Sequence, residues 1–454
     1  MKAEERVPLD NVIAARAQME VSLAFHMIFA ALGIGLPLLM VLAEGVWLRT
    51  GREHYRALAR KWAKATALTF AVGAVSGTAL SFELGLLWPR FMALAGGVVG
   101  PAFALEGYAF FVEAIFIGLY FYGWERLSPR AHWLAGVAVA VSGAISGVLV
   151  VAANAWMQTP NGFRAVGGRL TAVDPLAPFK ARAWLDMALH STLSCYVATA
   201  FAVGGVYAVG QLKGRRDQYH RSGLGIALAL GAVVAVLQPL SGDISARRVA
   251  ATQPVKLAAA EALFRTQRGA PLLVGGIPDP EAAQTHLGIE VPYLLSLLAT
   301  HDPQGEVKGL DVAPRAQWPN VLVTHTAFDI MVGCGTLLAL CGVLYWLVRR
   351  RRRDSGLLDP PWLLALLVLA SPLGLLALEA GWFVTEVGRQ PWIIYQLMPT
   401  AAGATPVTQV PITFFGFTVL YLALGSALVV LLRRLAAGSG ARALASDAEA
   451  IDVA

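Results

Sequence analysis

The chain has 454 residues, 57% of them hydrophobic and only 14% charged, and a mean hydropathy of +0.60. Soluble domains carry about 25% charged residues, so this composition excludes an ordinary soluble enzyme and points to a protein that crosses a membrane several times. The net charge of +7 gathers in a few short loops, which excludes nucleic-acid binding as its reason.

In lipid every backbone polar group must find its partner within the chain, so an open sheet is excluded and helices are expected. A bilayer core of about 30 Å takes roughly 20 apolar residues per helix. Nine stretches qualify, at about 21–48, 65–87, 101–123, 133–153, 184–211, 223–240, 321–348, 362–385 and 409–432. The first, Val21 to Leu48, is longer than the apolar core of a cleaved signal and reads as a retained span. Basic clusters follow alternate spans: Arg49 to Lys64, then Arg126 and Arg130, then Lys213 to Arg221, then Arg349 to Arg353, then Arg433 and Arg434. The positive-inside rule puts all five in the cytoplasm, with the N-terminus outside and the C-terminus inside, as nine spans require. The expected fold is therefore all-α and polytopic. Residues 1–240 hold spans one to six and 241–320 form a polar outer connection. Residues 321–435 hold spans seven to nine, and 436–454 form a flexible cytoplasmic tail. A connection of that length tends to be functional. Within it, Val255 to Gln267 has Leu257, Ala260, Glu261 and Phe264 at helical spacing and is expected as a short amphipathic helix against the bundle.

Two histidines and a methionine interrupt the apolar spans: His26, His190 and Met331. A ring nitrogen in hydrocarbon is costly unless bonded, and imidazole and thioether hold haem iron in electron-transfer proteins. Three carboxylates join them: Glu379, and Glu106 with Glu113 seven residues on along the same helix face. With the orientation above, all six fall in the outer half of the bundle, a shared depth that a cofactor layer explains. Cys195, Cys334 and Cys341 show no CxxC pattern and read as packing residues. His325 reads as interfacial, and His54, His132, His220 and His301 carry no signal of their own.

Span eight contains Leu378-Glu379-Ala380-Gly381-Trp382 and ends in Gly388-Arg389-Gln390-Pro391-Trp392. Ala104-Leu105-Glu106-Gly107 precedes Phe110-Phe111-Val112-Glu113. Asn154-Ala155-Trp156-Met157-Gln158 follows span four, and Lys256-Leu257-Ala258-Ala259-Ala260-Glu261 lies early in the long connection. Along its whole length the chain thereby resembles subunit I of the cytochrome bd-type quinol oxidases, in the branch with a short quinol loop, some of whose members are called cyanide-insensitive. The resemblance implies a respiratory enzyme of the bacterial cytoplasmic membrane that oxidises quinol at the outer face. It would reduce O2 to water with cytoplasmic protons, building a potential without a pump. It implies His190 and Met331 as the axial pair of haem b558. His26 and Glu379 would each ligate one haem of the oxygen-reducing pair, haem b595 and haem d or a further haem b. Glu106 would sit beside that pair, and Glu113 would lead protons to it. Lys256 and Glu261 would contact quinol, and Arg389 and Trp392 belong to the haem-side motif, Arg389 paired with haem propionates or with Glu386. The implied partners are a second membrane subunit, a small single-span subunit and the lipid bilayer, with no nucleic acid.

Two positions depart from the pattern. Many members carry arginine two residues before the methionine ligand, where this chain has Asp329, which removes a positive charge beside the haem. Many carry tryptophan one turn before the glutamate ligand, where this chain has Leu375, which removes an aromatic between haems. Two other classes compete on the residues alone. One is a haem b electron conduit with another acceptor. The other is a secondary transporter, which tends to show internal repeats and midplane sites. No repeat is visible here, and the polar residues lie off the midplane.

Overall fold

The computed structural model describes residues 9–167, 169–352 and 359–437. The first eight residues, Arg353 and most of the expected tail, from 438 on, lie outside these. Among the described residues nine helices are long and apolar enough to cross a membrane. They are α1 (Leu9–Thr50), α2 (Glu53–Leu87), α3 (Pro89–Tyr122), α4 (Pro129–Gln158), α5 (Trp184–Leu212), α6 (Gln218–Thr252), α9 (Val321–Arg352), the pair α10 (Pro361–Ala370) with α11 (Leu373–Val387), and α13 (Val410–Ala437). The fold is thus all-α and polytopic.

Helix starts follow local chemistry. The Ser128 hydroxyl accepts from the Ala131 amide ahead of Pro129, and Asp217 accepts from the His220 amide to open α6. The eighth crossing breaks at Ser371-Pro372, because proline donates no amide to continue the ladder. The crossings pack through small residues, as expected where lipid removes the hydrophobic drive between helices. A Cβ at Gly35 of α1 would lie 2.2 Å from Thr199 of α5, and one at Gly374 of α11 would lie 2.6 Å from the Ala198 backbone. α5 is thereby held against both α1 and α11.

The helices overrun the apolar stretches. α1 starts at Leu9 rather than about 21, α3 at Pro89 rather than about 101, and α6 runs to Thr252 rather than about 240. Hydropathy marks hydrocarbon thickness, whereas helical hydrogen bonding continues wherever a packing partner exists. For α1 and α3 the partner is a core at one end of the bundle, where Val12 and Ala15 meet Trp88, Phe91, Trp156 and Ile394, and for α6 it is the core of the long connection, on which Val249 and Ala250 pack. His26 and Glu106 therefore sit several turns, rather than one, from the starts of their helices.

The long connection begins at Gln253, not 241. It carries α7 (Pro254–Ala260), α8 (Leu294–Thr300) and three two-stranded antiparallel ladders. These are β3 (Gln267–Arg268) with β8 (Glu306–Val307), β4 (Leu272–Val274) with β7 (Ile289–Val291), and β5 (Ile277–Asp279) with β6 (Gln284–His286). Leu257, Leu263, Phe264, Leu295 and Leu310 give it a small core of its own. The helix expected over Val255–Gln267 stops at Ala260. Ala262 takes φ +48°, and the Leu263 amide turns back to the Ala258 carbonyl. A hairpin of β1 (Arg164–Val166) and β2 (Arg169–Thr171) follows α4. Beyond α11 lie β9 (Trp392–Ile394), β10 (Met398–Pro399) and α12 (Thr400–Gly403).

Candidate functional site

His26 and His190 are held by one device used twice. The His26 Nδ1 lies 2.9 Å from the Ser76 hydroxyl, and the His190 Nδ1 lies 2.9 Å from the Ser241 hydroxyl. Each serine spends its own proton on helix carbonyls, Ser76 on Val72 and Gly73, and Ser241 on Gln238. The serine oxygen must therefore accept, so each Nδ1 carries the hydrogen and each Nε2 keeps its lone pair. A metal-binding histidine needs that tautomer. The residue after each serine is glycine, and a Cβ there would lie 3.0 Å (Gly77) or 3.3 Å (Gly242) from the imidazole Cε1. At His190 the Gln238 amide also comes within 3.2 Å of Nε2.

Met331 on α9 and Glu379 on α11 come level with each other, because a Cβ at Gly381 would lie 2.9 Å from the Met331 sulfur. Both Glu379 oxygens are buried without a partner. Arg389 is 3% exposed and pairs with Glu386, yet its Nε and Nη1 are also buried and unpartnered. Thioether, imidazole and carboxylate donors, with both Glu379 oxygens unpartnered and Arg389 hydrogens unspent beside them, fit haem iron and haem carboxylates. On α3, Glu106 accepts from the Ser146 hydroxyl at 3.1 Å, and Glu113 lies in the space that Gly143 leaves open.

Three of the quoted motifs converge. The Gln158 side-chain oxygen accepts from Lys256 Nζ at 2.5 Å and from Gln253 at 2.9 Å, and Lys256 also reaches the Thr385 carbonyl at 3.1 Å. The Gln158 amide bonds Asn154, and Asn154 donates to Glu386 at 2.7 Å, which pairs with Arg389. Trp392 opens β9 with its amide on the Arg389 carbonyl. Burial, and then Arg389, lower the Lys256 ammonium to about 7. Burial, and then Asp329, raise the Glu261 carboxyl to about 8, and one Glu261 oxygen has no partner. Neither residue lies on a solvated helix face.

Several of these residues escape a sequence reading. Ser76, Ser241 and Gln253 matter through partners about 50 to 100 positions away; the only local trace is the Ser-Gly dipeptide at 76–77 and 241–242. His325 is fully buried rather than interfacial. Its ring nitrogens face the Ala260 and Gly275 carbonyls at 2.8 and 3.2 Å, and Asp329 stands 3.3 Å away. Asp329, the departure noted above, is thus engaged with the long connection through His325. Leu375, the other departure, packs on Ala31, Cys195, Ala198 and Leu378. All three cysteines are buried and free. His132, without a signal in the sequence, is 2% exposed and bonded to Glu44.

Residues 14–439 match the family described as cytochrome bd terminal oxidase subunit I. A Bacillus subtilis (strain 168) protein assigned as a cytochrome bd menaquinol oxidase subunit I is 38% identical over 428 residues, covering 93% of this chain and 96% of its own length. A cytochrome bd ubiquinol oxidase subunit 1 of the same strain is 33% identical over 445 residues, covering 94% and 93%. The solved structure of bd oxidase from Geobacillus thermodenitrificans matches with a TM-score of 0.89 at 37% identity, over 94% of this chain and 98% of that one. The chain belongs to the cytochrome bd terminal oxidase subunit I family.

Proposed function

We propose that this chain is the haem-bearing subunit of a bacterial quinol:O2 oxidoreductase, working in the cytoplasmic membrane beside a second membrane subunit and a small single-span one. The observation that carries the reading is the pair of histidines fixed by serine in the tautomer that a metal requires. Family membership implies haem and a quinol oxidase. His190 and Met331 would hold a low-spin haem b558. His26 and Glu379 each hold one haem of the oxygen-reducing pair, b595 and d or a further b. Bound there, haem supplies the electron-transfer and oxygen-reducing chemistry that no side chain offers.

The chain's own residues do the rest. Residues 253–320, inside the expected 241–320 segment, form the quinol-binding connection on the outer face. Glu261 takes a proton from the quinol hydroxyl, and Lys256, fixed by Gln158, donates a hydrogen bond to the quinol oxygen. Arg389, whose Nε and Nη1 are buried without a partner, would pair with haem propionates, in the motif that ends in Trp392. Glu113 and Glu106 hand protons from the cytoplasmic side to the oxygen site. Quinol protons leave outside and consumed protons enter from inside, so charge is separated without a pump. The basic loops set this orientation.

A reduced-minus-oxidised visible spectrum of the purified complex, with quinol-driven O2 uptake, tests the proposal. Low-spin b bands with high-spin features are expected. No haem bands would point to a transporter, and a single low-spin b haem without O2 uptake would point to an electron conduit.

A further inference from the structure

A second buried polar cluster, none of whose residues has been given a role so far, lies at the other end of the bundle. Glu44 on α1 is 0% exposed, and Tyr120 on α3 and His132 on α4 are each 2% exposed. The Tyr120 hydroxyl donates to Glu44 Oε2 at 2.6 Å, and His132 Nδ1 stands 2.7 Å from Glu44 Oε1. His132 Nε2 faces the Tyr120 carbonyl at 2.9 Å and so must carry a hydrogen. The other ring nitrogen, Nδ1, thus meets a carboxylate oxygen directly at hydrogen-bond distance. A carboxylate and an imidazole buried in a membrane bundle are costly as mere fasteners.

The cluster is in line with Glu113 and Glu106. Residues 106, 113 and 120 share one face of α3 at seven-residue intervals. On the facing helix α4, Gly136 and Gly143 are spaced by seven as well. A Cβ at Gly136 would lie 2.7 Å from the Tyr120 ring, and one at Gly143 would lie 3.0 Å from the Glu113 carboxyl. α4 thus gives way where α3 sends each group inward. A cavity of about 10 Å³ opens beside Tyr120, lined by Met40, Ala63, Thr66, Ile117 and Val139, about the room one water takes. The Thr66 hydroxyl lining it is buried without a partner. At the loop side, Arg60 stacks on Trp124 at 4.9 Å, and the Trp124 ring lies 4.0 Å from that of His132.

We propose that Glu44, Tyr120 and His132 form the mouth by which cytoplasmic protons enter, and that a water held by Thr66 passes them toward Glu113. This rests on the oxidase reading and on its placing of this end in the cytoplasm. Within the cluster the proton moves along the Tyr120–Glu44 and His132–Glu44 hydrogen bonds, and from there it crosses to Glu113 through the proposed water. The Glu44–His132 pair takes one from bulk water and gives one on, and no electron moves.

The test uses the whole complex in liposomes. Quinol-driven O2 uptake by the wild type comes first, and its absence overturns the oxidase reading itself. Against that rate, Glu44→Gln and Thr66→Val are each expected to slow O2 uptake and proton consumption from the inner side at least tenfold. The difference spectrum and the rate of haem reduction by quinol should stay at wild-type values. A high-resolution cryo-EM map should show water within hydrogen-bond reach of Thr66 Oγ1. Wild-type turnover in both variants, or slow turnover traced to lost haem, overturns the inference, as does a dry cavity.

Discussion

The His26 and His190 stations share a serine and a glycine on the neighbouring helix, and they differ in everything around them. At His190 the ring and its flanking acid are engaged by polar partners. Gln238 reaches Nε2, and Asp186, one turn before the histidine, is paired with Arg248 at 2.7 Å. At His26 the neighbourhood is aromatic, with Phe25 stacked on Tyr421 at 4.6 Å and edge-on to Phe29 at 4.6 Å. Nearby on α2, Glu83 is 1% exposed and keeps one oxygen unpartnered, as Glu379 keeps both. Orienting an imidazole is one problem with one solution. In the proposed assignment the surroundings then set the role: an electron-transfer haem held with a thioether at His190, and at His26 one haem of the oxygen-reducing pair whose other haem Glu379 holds.

The comparison breaks most visibly if the ligands are removed. His190→Ala and Met331→Leu should each abolish the low-spin b bands while the high-spin features persist, and His26→Ala should do the reverse. Visible difference spectra of the assembled complex read this, and an unchanged spectrum refutes the assignment. Next come the groups proposed to feed electrons into the His190 side. Glu261→Gln should cut quinol-driven O2 uptake by about 10²–10⁴-fold, the usual worth of a general base, without altering the haem spectrum. A base must be ionised to act, and burial holds Glu261 at about 8. The rate should therefore climb with pH up to about 8 and level off above it, and this rise should vanish in Glu261→Gln. A wild-type profile that is flat from pH 6 to 9 would contradict the role.

The shared device gives smaller effects. Ser76→Ala and Ser241→Ala free each imidazole to take the wrong tautomer, and haem retention should fall by about 10–100-fold, as for other partners of metal-bound histidines. Haem content per chain measures this, and loss at only one station would show that the two devices are not equivalent. The mildest effect is expected from the glycines. Gly77→Ala meets its imidazole at 3.0 Å and Gly242→Ala at 3.3 Å, so the His26 spectrum should shift more than that of His190.

The sequence by itself determined the nine crossings, because apolar length and loop charge are local quantities that the bilayer reads directly. It also displayed the candidate ligands, because a polar side chain within a run of leucine and alanine stands out without knowledge of its neighbours. Only the tertiary structure decided what holds those ligands and where the helices end. Ser76 and Ser241 look like ordinary helix serines until α1 meets α2 and α5 meets α6. Nothing near Lys256 in the sequence shows what fixes it until Gln158, 98 positions earlier, accepts from it. His132 reads as a loop-side histidine until Glu44, 88 positions away, closes on it. Spacing in a sequence reports which face of one helix a residue occupies, whereas a hydrogen bond between helices depends on how separate rods rotate against one another. That rotation is set by which glycines let them approach.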